Sequence, residues 1–190
     1  MTLLAPVYVT PGIGDRFTGG LQWVTLDVSG ADEWITRVAT ARMADFLRRS
    51  ATLDSRPLWR NWRWMLAGVM SETAYAIHHG LHLEELERNA GKADFTHHGK
   101  YVDVKTTTSP TGAWLSVKVD ALDRMHEQYE LRRCVIAGAQ TDIDTGHVTL
   151  MGQRPCTYML DDYDVNGAET GHQYAYLRIP FRDFTPFGAP

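Results

Sequence analysis

Hydrophobic and polar residues alternate through LQWVTLDVS (21–29), the period of a strand, and Ser29-Gly30-Ala31-Asp32 then breaks it. The following DEWITRVATARMADFLRR spaces its apolar residues as a helix does, with Trp34, Val38, Ala41 and Phe46 as the expected stripe. A second helix is expected from about Pro57 through LWRNWRWMLAGVMSETAYAIHH to Gly80, with proline at its start and glycine past its end. Beyond it the pattern predicts a hairpin over ADFTHHGKYVDVKTTT (93–108), a polar turn TSPTG, a strand AWLSVKV and a short helix ALDRMHEQYELR. RCVIAGAQTD and GHVTLMGQ read as another hairpin turning at Asp144-Thr145-Gly146, and YAYLRIPF (174–181) as a closing strand. The order of helix, three strands, helix and further strands predicts an α/β chain with a mixed central sheet. No repeat, low-complexity tract or linker divides the 190 residues, so one domain is expected.

The hairpin carries residues that a solvent-exposed turn does not need. Side chains alternate along YVDVKTT, so Tyr101, Asp103, Lys105 and Thr107 share one face while Val102 and Val104 point to a core. A two-residue loop at either His98-Gly99 or Gly99-Lys100 puts Asp94 opposite Asp103 or Lys105, on their face in both registers. Two carboxylates opposed at about 5 Å repel and raise one another's pKa unless a cation sits between them. Replacing either with its amide is therefore expected to stabilise the metal-free protein. Gathered oxygen ligands of this kind suit Mg²⁺, which takes one or two protein carboxylates and keeps several waters.

Glu72 adds a third acid. It follows Met65 by seven residues and Val69 by three, and precedes Ala76 by four, which sets it on the apolar stripe of its helix. A carboxylate on a buried face is costly unless it is paired or bound to metal, so Glu72 is expected beside a cation or at a cleft.

Composition changes this picture little. The net charge of −4 offers no broad basic surface, so contact with nucleic acid would need a local patch. No apolar run approaches the roughly 20 residues of a membrane span, and MTLLAPVYVTPGIGD lacks the layout of a signal peptide. A soluble, cytoplasmic protein is expected. Cys134 and Cys156 are too few for a disulfide framework or an iron–sulfur cluster and are expected as thiols.

Glu72 within GVMSETAYAIHHGL, Asp94 on a first strand and Asp103-Val104-Lys105 on a second together resemble the PD-(D/E)XK nuclease superfamily. The resemblance covers about residues 66–181. It implies a restriction-endonuclease-like core of helix, three-strand meander, helix and further strands over 56–181, an N-terminal strand–helix elaboration over 1–55 and a tail at 182–190. It also implies a Mg²⁺-dependent deoxyribonuclease in which Asp94 and Asp103 are the motif acids, Lys105 the motif lysine and Glu72 the helix glutamate. The Val104 carbonyl would join the metal ligands, Glu72 would reach the ion directly or through water, and Mn²⁺ would substitute for Mg²⁺. In such enzymes the ion activates a water and neutralises charge on the phosphodiester, and the lysine positions the water or stabilises the transition state. Two departures stand out: Ala93 precedes Asp94 where proline is usual, and Asp103 stands where glutamate is commoner.

DNA is the expected substrate and RNA stays open. Arg60 and Arg63, interleaved with Trp59, Trp62 and Trp64, are candidate phosphate contacts, whereas the tryptophans, at helical spacing, read as core. Thr107, in the hydroxyl-rich TTTSPTG, and His98 at the hairpin tip are further candidate contacts. Gln140 is a weaker candidate polar group, and Asp161, Asp162 and Asp164 read as a solvated acidic loop. His78 and His82 have zinc-ligand spacing, but Gly80 interrupts their helix. The competing functional reading is a non-cleaving nucleic-acid-binding or protein-interaction module on the same fold. The N-terminal 55 residues and FRDFTPFGAP are candidate elements of a homodimer.

Overall fold

Strand β6 (Cys134–Asp142) is buried without interruption from Cys134 to Ala139 because it is covered on both faces. It lies in the computed structural model, which describes residues 7–9, 23–49, 58–84, 86, 93–157, 159–167 and 175–187. Its neighbours are β4 (Lys100–Thr107), running parallel, and β7 (His147–Pro155), running antiparallel. β2 (Val24–Asp27) extends the sheet beyond β7, β1 (Val7–Val9) follows it, and β3 (Phe95–His97) closes the far edge. The six-stranded order is β1-β2-β7-β6-β4-β3, a mixed sheet in an α/β chain.

A smaller antiparallel sheet holds β5 (Trp114–Lys118), β9 (Tyr176–Pro180) and β8 (Val165–Asn166), in the order β5-β9-β8. The expected three-strand meander is therefore not one sheet. The parallel β6 lines one edge of β4 from Tyr101 to Thr107, and β3 covers the other only from Lys100 to Val102, so β5 is not the next strand beside β4. It pairs instead with β9, and Leu115 and Val117 face a core with Leu177 and Ile179.

The large sheet separates two cores. On one face Val102, Val104, Val135, Ala137, Ala139, Val148 and Leu150 pack against helices α1 (Asp32–Arg49) and α2 (Leu58–His79). On the other, Ile136 and Met151 meet the small sheet and α3 (Val119–Gln128), which buries Ala121, Leu122 and Met125. A short helix α4 (Met159–Asp162) adds Met159 to that core.

Both long helices follow from their sequence pattern with one shift. α1 buries Trp34, Ile35, Val38, Ala39 and Met43, whereas Ala41 is exposed and Phe46 half-buried. The stripe runs through Ile35, Val38, Ala39 and Met43, and Ala41 lies off it by one residue, or about 100° of helix. α2 is buried continuously from Val69 to Ala76, between α1 and the sheet. It ends at Gly80 (φ +63), where Leu81 N–H bonds Ala76 O at 2.8 Å and Gly80 N–H bonds Ile77 O at 3.3 Å. That is a Schellman cap, which needs the left-handed conformation glycine adopts freely. Pro57, the expected first residue, lies outside the described residues.

The described part of the segment read as a tail, residues 182–187, joins the core. Phe184 and Phe187 are buried, and Thr185 exchanges two backbone hydrogen bonds with Gln153, at 2.9 and 3.0 Å. Gly152 permits this approach: a Cβ there would meet Thr185 O at 2.0 Å, at a φ of +135 that other residues rarely adopt. The described parts of the N-terminal region are likewise built in, with β2 paired to β7 and α1 packed on α2. Among the described residues, no helix is long and apolar enough to cross a membrane.

Candidate active site

The β3–β4 hairpin turns through His98 (φ +48) and Gly99 (φ +73), two positive φ values that mark a two-residue type I′ loop. The ladder pairs Phe95 with Val102, Thr96 with Tyr101 and His97 with Lys100. Continuing it by one position sets Asp94 across from Asp103, the first of the two registers open to the sequence. β3 stops at Phe95, however, and Asp94 bends away from the ladder. Its Oδ2 accepts the backbone N–H of Val104 at 2.7 Å, so a side chain replaces the strand partner that β4 lacks there.

Asp103 and Lys105, two residues apart on one face of β4, form an ion pair at 2.6 Å. The valines between and beside them, Val102 and Val104, face the α1–α2 core as the alternation requires. Glu72 approaches from α2 and is almost fully buried. Its partner is Arg42 of α1: Nη1 donates to Oε1 at 2.7 Å, and Nη2 lies 2.7 Å from Oε2. Arg42 also donates to Leu86 O at 3.4 Å.

Electrostatics tie these groups into one cluster. Burial pushes the Asp94 carboxyl well above the usual range, and the nearby charges of Glu72 and Asp103 push it further, against Lys105 and the Val104 N–H. Glu72 is raised chiefly by burial, opposed by Arg42 and Lys105. The Lys105 ammonium loses solvation, which lowers its pKa, yet Asp103, Asp94 and Glu72 overcome this and hold it raised. Glu72, Asp94, Asp103 and Lys105, scattered over 34 positions of the sequence, thus converge where β3 ends and α2 crosses β4.

Arg42 is the member that sequence reading misses, though its signal is the same as that of Glu72. It falls four residues after Val38 and three after Ala39, so it is a charge on a buried stripe. Two buried charges on adjacent helices are each other's natural partners.

The other candidates lie apart from the cluster. His98 is exposed at the hairpin tip, its ring 4.0 Å from that of His97. Thr107 accepts the Ser109 N–H at 3.2 Å, and Gln140 Nε2 donates to Ser109 O at 2.6 Å, so both shape the turn after β4. His78 bonds the Tyr8 hydroxyl at 3.4 Å, whereas His82, beyond the Gly80 cap, is exposed and 4.0 Å from Glu84. Asp161, Asp162 and Asp164 are exposed, with Asp162 paired to Arg154 at 2.7 Å. Cys134 and Cys156 are buried free thiols.

The tryptophans divide. Trp62 packs against the core, while Trp59 and Trp64 are 59% and 46% exposed. With Arg60, Arg63, Thr108 and Ile143 they line an open cleft of about 430 Å³.

The acid cluster fits a divalent cation by its donor chemistry. Asp94 and Asp103 offer hard oxygen ligands, and the elevation of Asp94 by its acidic neighbours is what a bound cation would relieve. Among the described residues no group of three His, Cys, Asp or Glu side chains is gathered as a metal cage, and Mg²⁺ does not require one. No family model, curated protein or solved structure matches this chain.

Proposed function

We propose that this protein is a metal-dependent nuclease of the PD-(D/E)XK type that hydrolyses phosphodiester bonds in DNA. The observation that carries the reading is the convergence of Glu72, Asp94, Asp103 and Lys105 at the end of β3. Three acids and a lysine from a helix, a strand end and a strand do nothing for the apolar core, and burying Glu72 among them is costly. Clustered, perturbed ionisable groups of this kind are characteristic of sites that do chemistry.

Asp94 and Asp103 would hold Mg²⁺, or Mn²⁺ in its place, with the Val104 carbonyl beside them. Val104 N–H points to the Asp94 side of β4, and in a strand the N–H and C=O of one residue point to the same edge. When bound, the ion supplies Lewis-acid charge at the phosphate and lowers the pKa of water toward neutrality. The protein's own groups do the rest. Burial and the other acids hold the Asp94 carboxyl above the usual carboxylate range, so protons would compete with a cation for it. Lys105, kept protonated by the acids, offers donors to an attacking water or to a phosphoryl oxygen carrying developing charge. Arg42 holds the Glu72 carboxylate in place.

A non-cleaving module is the competing reading, supported by the ion pairs Arg42–Glu72 and Lys105–Asp103, which already compensate two of the acids. Incubating the protein with linear and circular DNA, single- and double-stranded, in Mg²⁺, Mn²⁺ or EDTA separates the two. Cutting that requires the metal supports the nuclease, and DNA retardation without cutting supports the module.

A further inference from the structure

We infer that the cleft on the N-terminal half of α2 is a binding site for unpaired nucleotides, in which bases stack on Trp59 and Trp64 and phosphates meet Arg60 and Arg63. This rests on the nuclease reading for its choice of ligand, but the cleft itself is built from different residues. Trp59 and Trp64 expose 59% and 46% of their surface, and the neighbouring Leu58 exposes 54%. A helix with a good core face has no need to present two indoles to water in successive turns, and Trp62 shows that the core is already served. The tryptophans and arginines line one open cleft of about 430 Å³ with Thr108 and Ile143, a size suited to a nucleotide unit.

The chemistry selects the ligand. Indole faces stack on any base, guanidinium groups pair with phosphates, and the Thr108 hydroxyl can donate to a phosphate oxygen. Arg60 Cζ lies 5.7 Å over the Trp59 ring, so cation and stacking surface belong to one platform. Arg63 makes an exposed ion pair with Asp144 at 3.4 Å, which a phosphate in the cleft would compete with. In a chain of net charge −4, this is the local basic and aromatic patch that nucleic acid binding requires. A paired duplex hides its base faces, so the stacking surfaces favour single strands, frayed ends or gaps.

The cleft is separate from the acid cluster. Arg63 and Glu72 are nine positions apart, about 13.5 Å of helix and two and a half turns, which puts the two side chains on opposite sides of α2. It therefore holds strand beyond the scissile phosphate.

The test is the binding of labelled oligothymidylate, an abasic strand of equal length and a blunt duplex, by fluorescence anisotropy in EDTA. The proteins compared are wild type, Trp59→Ala, Trp64→Ala, Arg60→Ala/Arg63→Ala and the rescue variant Trp59→Phe, each checked for an unchanged melting temperature. The expected result is that wild type prefers oligothymidylate to both other probes. Each tryptophan loss should weaken it by about 5-fold to 150-fold, the equivalent of about 1–3 kcal/mol of stacking per base, and Phe should restore part of it. The double arginine variant should bind more weakly with a shallower salt dependence. Equal binding by wild type and the tryptophan variants, equal affinity for the abasic strand, or loss of self-association in place of DNA binding would each overturn the proposal. Metal-dependent cleavage with unaltered binding in the tryptophan variants removes the cleft and leaves the nuclease. Tryptophan-dependent binding with no cleavage removes the nuclease and leaves the cleft.

Discussion

The guanidinium of Arg42 on α1 donates a hydrogen bond to Oε1 of Glu72 on α2 at 2.7 Å, and its other terminal nitrogen lies 2.7 Å from Oε2. A pair this buried is costly to break from one side, because the remaining charge stays in a poor solvent. Arg42→Met should therefore destabilise the protein by about 3 kcal/mol, less than the extreme for such pairs because the Arg42 side chain keeps 28% of its exposure. Arg42→Met/Glu72→Leu should recover most of that loss. Urea denaturation of the two single variants and the double variant measures the coupling, and additive effects would show that the pair does not interact.

Asp94 and Asp103 should behave differently when each is changed to its amide. The folded-state pKa of Asp94 is raised, so its contribution to stability is fully present below the unfolded carboxylate value near pH 4 and is lost as pH rises through the folded value. Asp94→Asn keeps an acceptor for the Val104 N–H and removes this loss. It should melt higher than wild type in EDTA at neutral pH, with a flatter pH profile. Asp103→Asn should not share the gain, because it breaks the 2.6 Å ion pair with Lys105. Thermal melts of the three proteins from pH 4 to 8 decide this, and identical profiles would dissolve the cluster.

Metal should reverse the order. At Mg²⁺ a hundredfold above its dissociation constant, wild type should gain about 2.7 kcal/mol, which at this chain length is a rise in melting temperature of roughly 5–11 °C. Asp94→Asn should gain little. The gain should also shrink as pH falls, since protons compete for Asp94. Differential scanning calorimetry with and without Mg²⁺ reads both effects, and equal gains in the two proteins would move the ion elsewhere.

Gly152→Ala tests how the C-terminal segment is held. Its Cβ would overlap Thr185 O and its φ would be unfavourable, so a loss of about 2–4 kcal/mol is expected. Gly30→Ala, with nothing within 4 Å of the added carbon, should change stability by no more than about 0.5 kcal/mol. Denaturant midpoints of the two variants provide the comparison.

Local pattern made much of this legible, and long-range pairing did not. The alternation in YVDVKTT placed Asp103 with Lys105, and the stripe around Glu72 showed that it is buried, because both are consequences of a short repeat. Two registers remained for Asp94 until the positive φ of His98 and Gly99 chose one. The strand AWLSVKV was visible, but its partner was not, since whether β5 joins β4 or β9 depends on β6 taking the free edge of β4 from a distance. Trp59, Trp62 and Trp64 look alike at helical spacing, and only the fold separates the one that packs from the two that do not. Arg42 could have been found by asking which cation on another buried stripe answers Glu72.

The central claim rests on Lys105, which sits among three acids without metal-ligand chemistry of its own. The rate of Mg²⁺- or Mn²⁺-dependent cleavage of linear and circular DNA, single- and double-stranded, compared between wild type and Lys105→Ala, tests it most directly. The account predicts cutting by wild type that EDTA abolishes, and a loss of at least about a hundredfold in Lys105→Ala at an unchanged fold. Cleavage at the wild-type rate by Lys105→Ala, or none by wild type in either metal, would contradict it.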